Sequence, residues 1–390
     1  MFKTVLIGLA GLIVGLIAGY LFILNPGLID LSSDGGFNFE SPLSPPHNQV
    51  IGFLPYWLLG KARLDYSPYV TQLAYFSLTP DVDGTIKKLN SPVEAEPGWY
   101  ALSSGKANSF FKMALTKHLS LSLVIFSGDS DTIAQLVSDP ERNADHLMGD
   151  VLPLMKKYHF SDLNLDIEDT TDATSGASFA FTQFVAQVKH RLNTSHAGTL
   201  TVDITGDDLI RSNLIDPVQI GKIADFVLVM TYDFHFPGSS VTGPVAPLGG
   251  AGTVSEYDVS TAIQKALAII PSEKVIMGVP LYGYEWETLG DDPRSGVIPG
   301  TGITASSERV EELLSHCSSC SAKLDSPAQE DYIVYKDQDT LTYHQLFYPN
   351  AQATEVKVNF ARQEKLGGIA LWALGYEDST ILNPLKNYKD

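Results

Sequence analysis

From residue 50 onward, short apolar runs alternate with segments of helical periodicity. The runs are Val50–Tyr56, Leu73–Leu78, Leu121–Phe126, Leu163–Glu168, Leu200–Ile204, Phe226–Tyr232, Val275–Pro280 and Gly368–Ala373. Strands that alternate with helices predict right-handed crossovers and a parallel sheet. About eight such units are what a closed (β/α)8 TIM barrel needs. An open doubly wound sheet is the alternative, but no Gly-x-Gly-x-x-Gly follows the first run to give it a dinucleotide site. Between the runs, Phe181, Phe184, Val185, Val188 and Leu192 recur at three- and four-residue steps, which predicts a helix packed on the outside of the barrel. A second helix, around Leu147, Val151, Leu154, Met155 and Tyr158, leads into the fourth run. Residues 284–345 break the rhythm with a helical stretch near Val310–Leu314 and strand-like Asp331–Tyr335 and Leu341–His344. They are read as a small α+β insertion between strands 7 and 8, rising beside the end of the barrel where active sites sit.

The fourth run has a pattern of its own. Leu163, Leu165 and Ile167 fall on one side of the strand, and Asn164, Asp166 and Glu168 on the other. A row of polar groups ending in a carboxylate is costly to bury without a use. Residues two apart on a strand are roughly 6.5–7 Å apart at the backbone, so Asp166 and Glu168 can converge on one bound group. A carboxylic acid that is partly desolvated beside another carboxylate holds its proton more tightly, which suits Glu168 to general acid chemistry. An amphipathic surface strand or a salt-bridged structural Glu would explain the same residues less completely.

The ends of the chain and its charge add further bounds. Residues 4–24 contain no charge and are long enough to cross a bilayer as a helix, with Lys3 ahead of them. We read 1–24 as a transmembrane signal-anchor, with the N-terminus cytoplasmic and the remainder extracytoplasmic; a cleaved signal peptide, giving a secreted protein, is the rival. Gly11, Gly15 and Gly19 share one face that offers a weak site for homo-association. The Pro/Gly/Ser-rich residues 25–48 read as a linker, which leaves 49–390 as the barrel domain. A formal net charge of −19 without a basic patch argues against nucleic acid as a partner. Cys317 and Cys320 lack the further ligands of a metal site and the βαβ setting of a thioredoxin-type motif; outside the membrane a local disulfide is the plain reading. No cofactor-binding or metal-binding motif is found.

Several segments, taken in order, resemble glycoside hydrolase family 18, the chitinase-like enzymes. Residues 161–168 are similar to the family's Asp-x-x-Asp-x-Asp-x-Glu strand, with Asp166 and Glu168 matching, Ser161 and Asn164 replacing Asp, and Asp162 standing where Gly is usual. Met230-Thr-Tyr232-Asp233 resembles the Met-x-Tyr-Asp motif. Residues 50–57, 275–286 and 367–375 resemble the first, seventh and eighth strands, the first of these carrying Phe53, the second Tyr282 and the last Trp372. Gly238-Ser239 and Gly243-Pro-Val-Ala-Pro-Leu248 look like the membrane- or wall-associated bacterial branch, the one that includes spore-germination and cell-wall glucosaminidases.

The resemblance implies retaining hydrolysis of β-linked N-acetylglucosamine glycans, in which the substrate's own N-acetyl group attacks the anomeric carbon. On that basis Glu168 would protonate the leaving oxygen and later activate water. Asp166 would bond the acetamido N–H, and Tyr232 the acetamido oxygen. Trp372 would lie beneath the sugar, its face against the sugar's C–H groups, and Phe53 would form a wall. Met230, Asp233 and Tyr282 would complete the substrate site. Asn164 would hydrogen-bond Asp166 without sharing its charge, which predicts an altered pH profile. Chitin-type, cell-wall and glycoprotein glycans all fit, and the Gly-Pro-Val-Ala-Pro-Leu tract leans towards cell-wall glycan. A lectin-like protein without turnover is the reading from a different class; loss of the acid at position 168 would mark it, and Glu168 is present.

Overall fold

The computed structural model describes residues 48–169, 176–211, 213–378 and 380–389. The expected anchor at 4–24, its glycine face and the linker as far as residue 47 lie outside the described residues. Among the described residues no helix is long and apolar enough to cross a membrane.

Eight parallel strands close into a barrel: β1 Gln49–Pro55, β2 Gln72–Leu78, β3 Ser120–Ser127, β4 Asp162–Ile167, β5 Thr199–Thr205, β6 Phe226–Met230, β7 Val275–Pro280 and β8 Gly368–Trp372. Each strand pairs with its neighbour in sequence, and β1 pairs with β8 to close the ring, Val50 opposite Ile369. An open sheet is therefore excluded, and every run read from the sequence is one of these strands.

The barrel separates two kinds of interior. Outward residues such as Leu163, Leu165 and Ile167 join the stripe of Phe181, Phe184, Val185, Val188 and Leu192 on the helix Ala177–Ser195. The helix Pro140–Tyr158 starts on a proline, where the missing N–H is no loss, and ends on His159 in the left-handed region with Lys156 and Lys157 in its last turn. It buries Leu147, Val151 and Met155 in the same layer. Inside the barrel, Ile51, Phe53, Ala74, Phe76, Phe226, Leu228, Ile276 and Ala370 form a separate apolar cluster. The lumen-facing positions of β4 and β5 are instead polar: Asp162, Asn164 and Asp166, with Thr201 and Asp203, all buried.

After β7 comes the insertion, a five-stranded antiparallel sheet in the order 303–305, 283–288, 343–348, 330–336, 323–325, with the helix Ser307–His316 beside it. The Cys317–Cys320 disulfide follows that helix. Glu330, on the strand 330–336, is fully buried and ties the insertion to the loop after β6. It accepts from the backbone N–H groups of Val245 (3.0 Å) and Ala246 (3.2 Å) and from Lys357 Nζ (2.9 Å). The Gly-Pro-Val-Ala-Pro-Leu tract is thus held in the interior by its backbone. A Cβ at Gly243 would lie 2.4 Å from the His235 ring, and His235 Nδ1 is 2.8 Å from Pro244 O. The tight fold of this loop accounts for its glycine.

Candidate active site

Glu168 follows the last residue of β4 at the C-terminal mouth of the barrel. Its backbone N–H bonds Ser127 O on β3 (2.9 Å), so the neighbouring strand fixes where the side chain emerges. The carboxyl is half-buried and opens into a cavity of about 290 Å³ lined also by Thr205, Asp207, Met230, Tyr232 and Asp233. That volume is at the small end of ligand pockets, which run from about 300 Å³ upward. Burial, then the negative charges of Asp233 and Asp208, raise the proton affinity of Glu168.

Tyr232 projects from the turn after β6. Gly278 on β7 leaves room for it, since a Cβ there would lie 2.8 Å from the Tyr232 ring. Burial and the charges of Asp166, Asp203, Glu168 and Asp233 keep its phenol protonated and available as a donor. Asp233 adopts a left-handed backbone conformation at φ 60°, one that Asp tolerates better than most residues. One of its oxygens accepts from both Tyr282 Oη (2.6 Å) and Tyr284 Oη (2.9 Å). The residue is exposed at the rim, yet desolvation of its carboxyl raises the proton affinity against those two hydrogen bonds.

The remaining sequence-predicted residues divide. Met230, Tyr232, Asp233 and Glu168 share the cavity. Tyr282 meets the site through Asp233, at 4% exposure. Trp372, at the end of β8, does not line this cavity. It stands in an aromatic group with Phe76 (centroids 4.6 Å apart), Phe53 (5.6 Å) and the half-exposed Trp57 (6.4 Å). Phe53 is 4% exposed, so it braces Trp372 rather than presenting a wall. Asn164 departs from expectation: its Nδ2 donates to Asp203 Oδ1 on β5 (2.8 Å), not to Asp166. The β4–β5 register sets Asn164 against Thr201 and carries Asp203 within reach of the amide.

Sequence reasoning assigned no role to Asp203, Asp208, Asp162, Tyr284 or Phe76. For Asp203 the signal was present. β5 alternates Leu200, Val202 and Ile204 with Thr201, Asp203 and Thr205, the same two-faced pattern that marked β4. Asp162 sits deeper in the lumen and accepts from Ser122 Oγ (2.6 Å), Thr199 Oγ1 (2.6 Å) and Thr201 Oγ1 (3.1 Å). Burial nevertheless pushes its proton affinity up to a pKa of about 7.

Residues 63–377 match the family model described as Glycosyl hydrolases family 18. The chain belongs to that family. Among family 18 relatives, the Cortical fragment-lytic enzyme of Bacillus subtilis is 26% identical over 342 residues, covering 85% of this chain and 70% of the relative. Two solved structures share the fold. A Group IV chitinase of Ostrinia furnacalis in complex with allosamidin superposes with a TM-score of 0.74 at 21% identity, covering 87% of this chain and 97% of that one. The Bacillus megaterium spore cortex-lytic enzyme SleL superposes at 0.70 and 21% identity, covering 89% and 75%. The protein is a family 18 glycosidase.

Proposed function

We propose that this family 18 enzyme hydrolyses β-linked N-acetylglucosamine glycans with retention of configuration, the substrate's acetamido oxygen serving as nucleophile. The observation that carries the reading is the single cavity shared by a half-buried acid of raised proton affinity, Glu168, and a phenol donor, Tyr232. In the first step the acetamido oxygen bonds to the anomeric carbon as the glycosidic C–O bond breaks, and Glu168 gives its proton to the departing oxygen. In the second, Glu168 takes a proton from water as that water opens the cyclic intermediate. Tyr232 donates to the acetamido oxygen, and Asp166 accepts from the acetamido N–H, stabilising the positive charge that develops. Asp233, locked by two tyrosines, supplies a further acceptor at the rim.

Of the glycans that contain N-acetylglucosamine, cell-wall glycan is the first choice. The support is the cortical fragment-lytic relative and its 85% coverage of this chain. Chitin-type oligomers are the second. The uncharged stretch 4–24 supports a site of action on the outer face of a membrane.

The test follows product stereochemistry. Proton NMR of the full chain acting on N-acetylglucosamine oligomers and on cortex fragments is expected to show the β-anomer first. De-N-acetylated oligomers, which lack the internal nucleophile, are expected to remain intact. An α-anomer as first product, or cleavage of the de-N-acetylated chain, would overturn the mechanism.

A further inference from the structure

The lumen holds more carboxylates than the reaction uses. Asp203 is 3% exposed and Asp166 is 4% exposed. The β4–β5 register pairs Asn164 with Thr201 and Leu165 with Val202, so the next step along both strands sets Asp166 beside Asp203 on the lumen side. Among the described residues no Lys, Arg or His forms an ion pair with either. Two buried oxygens in this group, Asp166 Oδ1 and Asn164 Oδ1, have no hydrogen-bond partner. Both are acceptors, so what the cluster lacks is a proton. Neighbouring carboxylates in a dry, cation-free interior cannot both ionise at moderate cost.

The other groups facing this pair are accounted for. Asp162, deeper in the lumen, is enclosed by three hydroxyls. Glu168 lies toward the mouth, and Tyr232 approaches from the β6 side. Asn164 is neutral and occupies only Oδ1 of Asp203, which leaves Oδ2 free to carry a hydrogen. Asp203 can therefore become neutral without losing its bond to the amide.

We propose that Asp203 is a positioning residue that shares one proton with Asp166 and keeps it when substrate arrives, leaving Asp166 anionic to receive the acetamido N–H. This rests on the mechanism proposed above. The transfer is internal: the hydrogen leaves an oxygen of Asp166 for Oδ2 of Asp203, and none passes to solvent. Burial of both groups, with the charges of Asp203 and Glu168 acting on Asp166 and those of Glu168 and Asp162 acting on Asp203, pulls in the same direction.

The experiment compares wild type, Asp203→Asn and the double variant Asn164→Asp/Asp203→Asn. Asn at 203 still accepts from Asn164, so a purely structural role predicts no change. A shared proton makes the pair titrate in two steps that straddle the single step of a lone Asp166. In the free protein, infrared titration of the carboxyl bands is expected to show wild type retaining a protonated carboxyl at a pH where Asp203→Asn has lost it. The acid limb of kcat/KM on an N-acetylglucosamine oligomer is expected to move to higher pH in Asp203→Asn, by about one unit or more. It should return in the double variant, where β4 regains a carboxyl. An unchanged limb, a limb moved to lower pH, or infrared titrations that differ only by one independent step would each overturn the proposal. Wild type that cleaves no oligomer would defeat the proposed function, while the infrared titration would still decide the shared proton.

Discussion

Asp203 in the barrel and Glu285 in the insertion are almost equally hidden from solvent, at 3% and 1% exposure, but their surroundings differ. Asp203 has one amide donor and acidic neighbours, and its proton affinity rises. Glu285 receives Arg309 through Nε (2.9 Å) and Nη2 (3.1 Å), His344 through Nδ1 (2.9 Å) and the Tyr335 hydroxyl. Burial alone would raise its pKa, but these donors outweigh burial and hold it at about 2. Glu330 is provided for in the same way, by Lys357 and two backbone amides. Burial alone does not set the charge of a carboxyl: three hydroxyl donors fail to offset it at Asp162, whereas donors that include Arg309 and His344 do so at Glu285. The insertion provides them and gains a rigid scaffold. Among the described residues the lumen offers its acids amide and hydroxyl donors but no cation, and their proton affinity rises.

The largest expected effect lies on the lumen side. Glu168→Gln removes the acid while keeping the shape, and kcat should fall by about 10²- to 10⁴-fold, measured on an N-acetylglucosamine oligomer. Its thermal midpoint should not fall, because no described ion pair depends on Glu168. A variant with near-normal kcat would remove this carboxyl from the chemistry.

On the insertion side, Lys357→Met strips the cation from Glu330, whose pair with Lys357 is 1% and 0% exposed. Breaking such a pair costs about 3–5 kcal/mol, because a charge is left buried without compensation. Urea unfolding should show that loss. A midpoint equal to wild type would mean that the two backbone amides suffice for Glu330.

The pH dependence of stability should separate the regions by sign. Glu285 has a depressed folded pKa, so its contribution is full above its unfolded value of 4.5 and lost as pH falls through about 2. At about 1.4 kcal/mol per unit, that is about 3 kcal/mol, which Glu285→Gln should abolish. Asp162 has a raised folded pKa, so its contribution is full below 3.8 and lost as pH rises through about 7. Asp162→Asn should flatten the curve between those values while leaving the acid limb alone. Urea midpoints from pH 2 to 8 for the three proteins check both, and a shared pH slope would dissolve the contrast. The smallest effect belongs to Cys317–Cys320. Its loop is so short that reduction should cost about 2 kcal/mol or less, read as a small drop in Tm with kcat unchanged.

What the sequence disclosed follows the same physical division. Period-two and period-3.6 patterns are local, so the eight strands, both tested helices and the polar face of β4 could be read directly. Asp166 and Glu168 were found because they share one strand. Asp203 shares that face only through the pairing of β4 with β5, and its Thr neighbours made β5 look ordinary. The direction of the Asn164 amide likewise depends on a cross-strand register that no single segment contains. Phe76 meets Trp372 only after the barrel closes, and Tyr284 meets Asp233 only after the insertion folds back. The Gly243–Leu248 tract was legible as a resemblance, but its task of offering two amides to Glu330 is visible only with residue 330 in place.

That last contact has a consequence for anyone who would trim this enzyme. Excising the insertion to obtain a minimal barrel would delete Glu330 and leave Lys357 with no counter-charge and the amides of Val245 and Ala246 with no acceptor. The loop so released is the one whose Val245 carbonyl holds the Phe234 N–H, one residue beyond Asp233. A shortened version would come apart first at the lining of the cavity, where Asp233 and Phe234 sit.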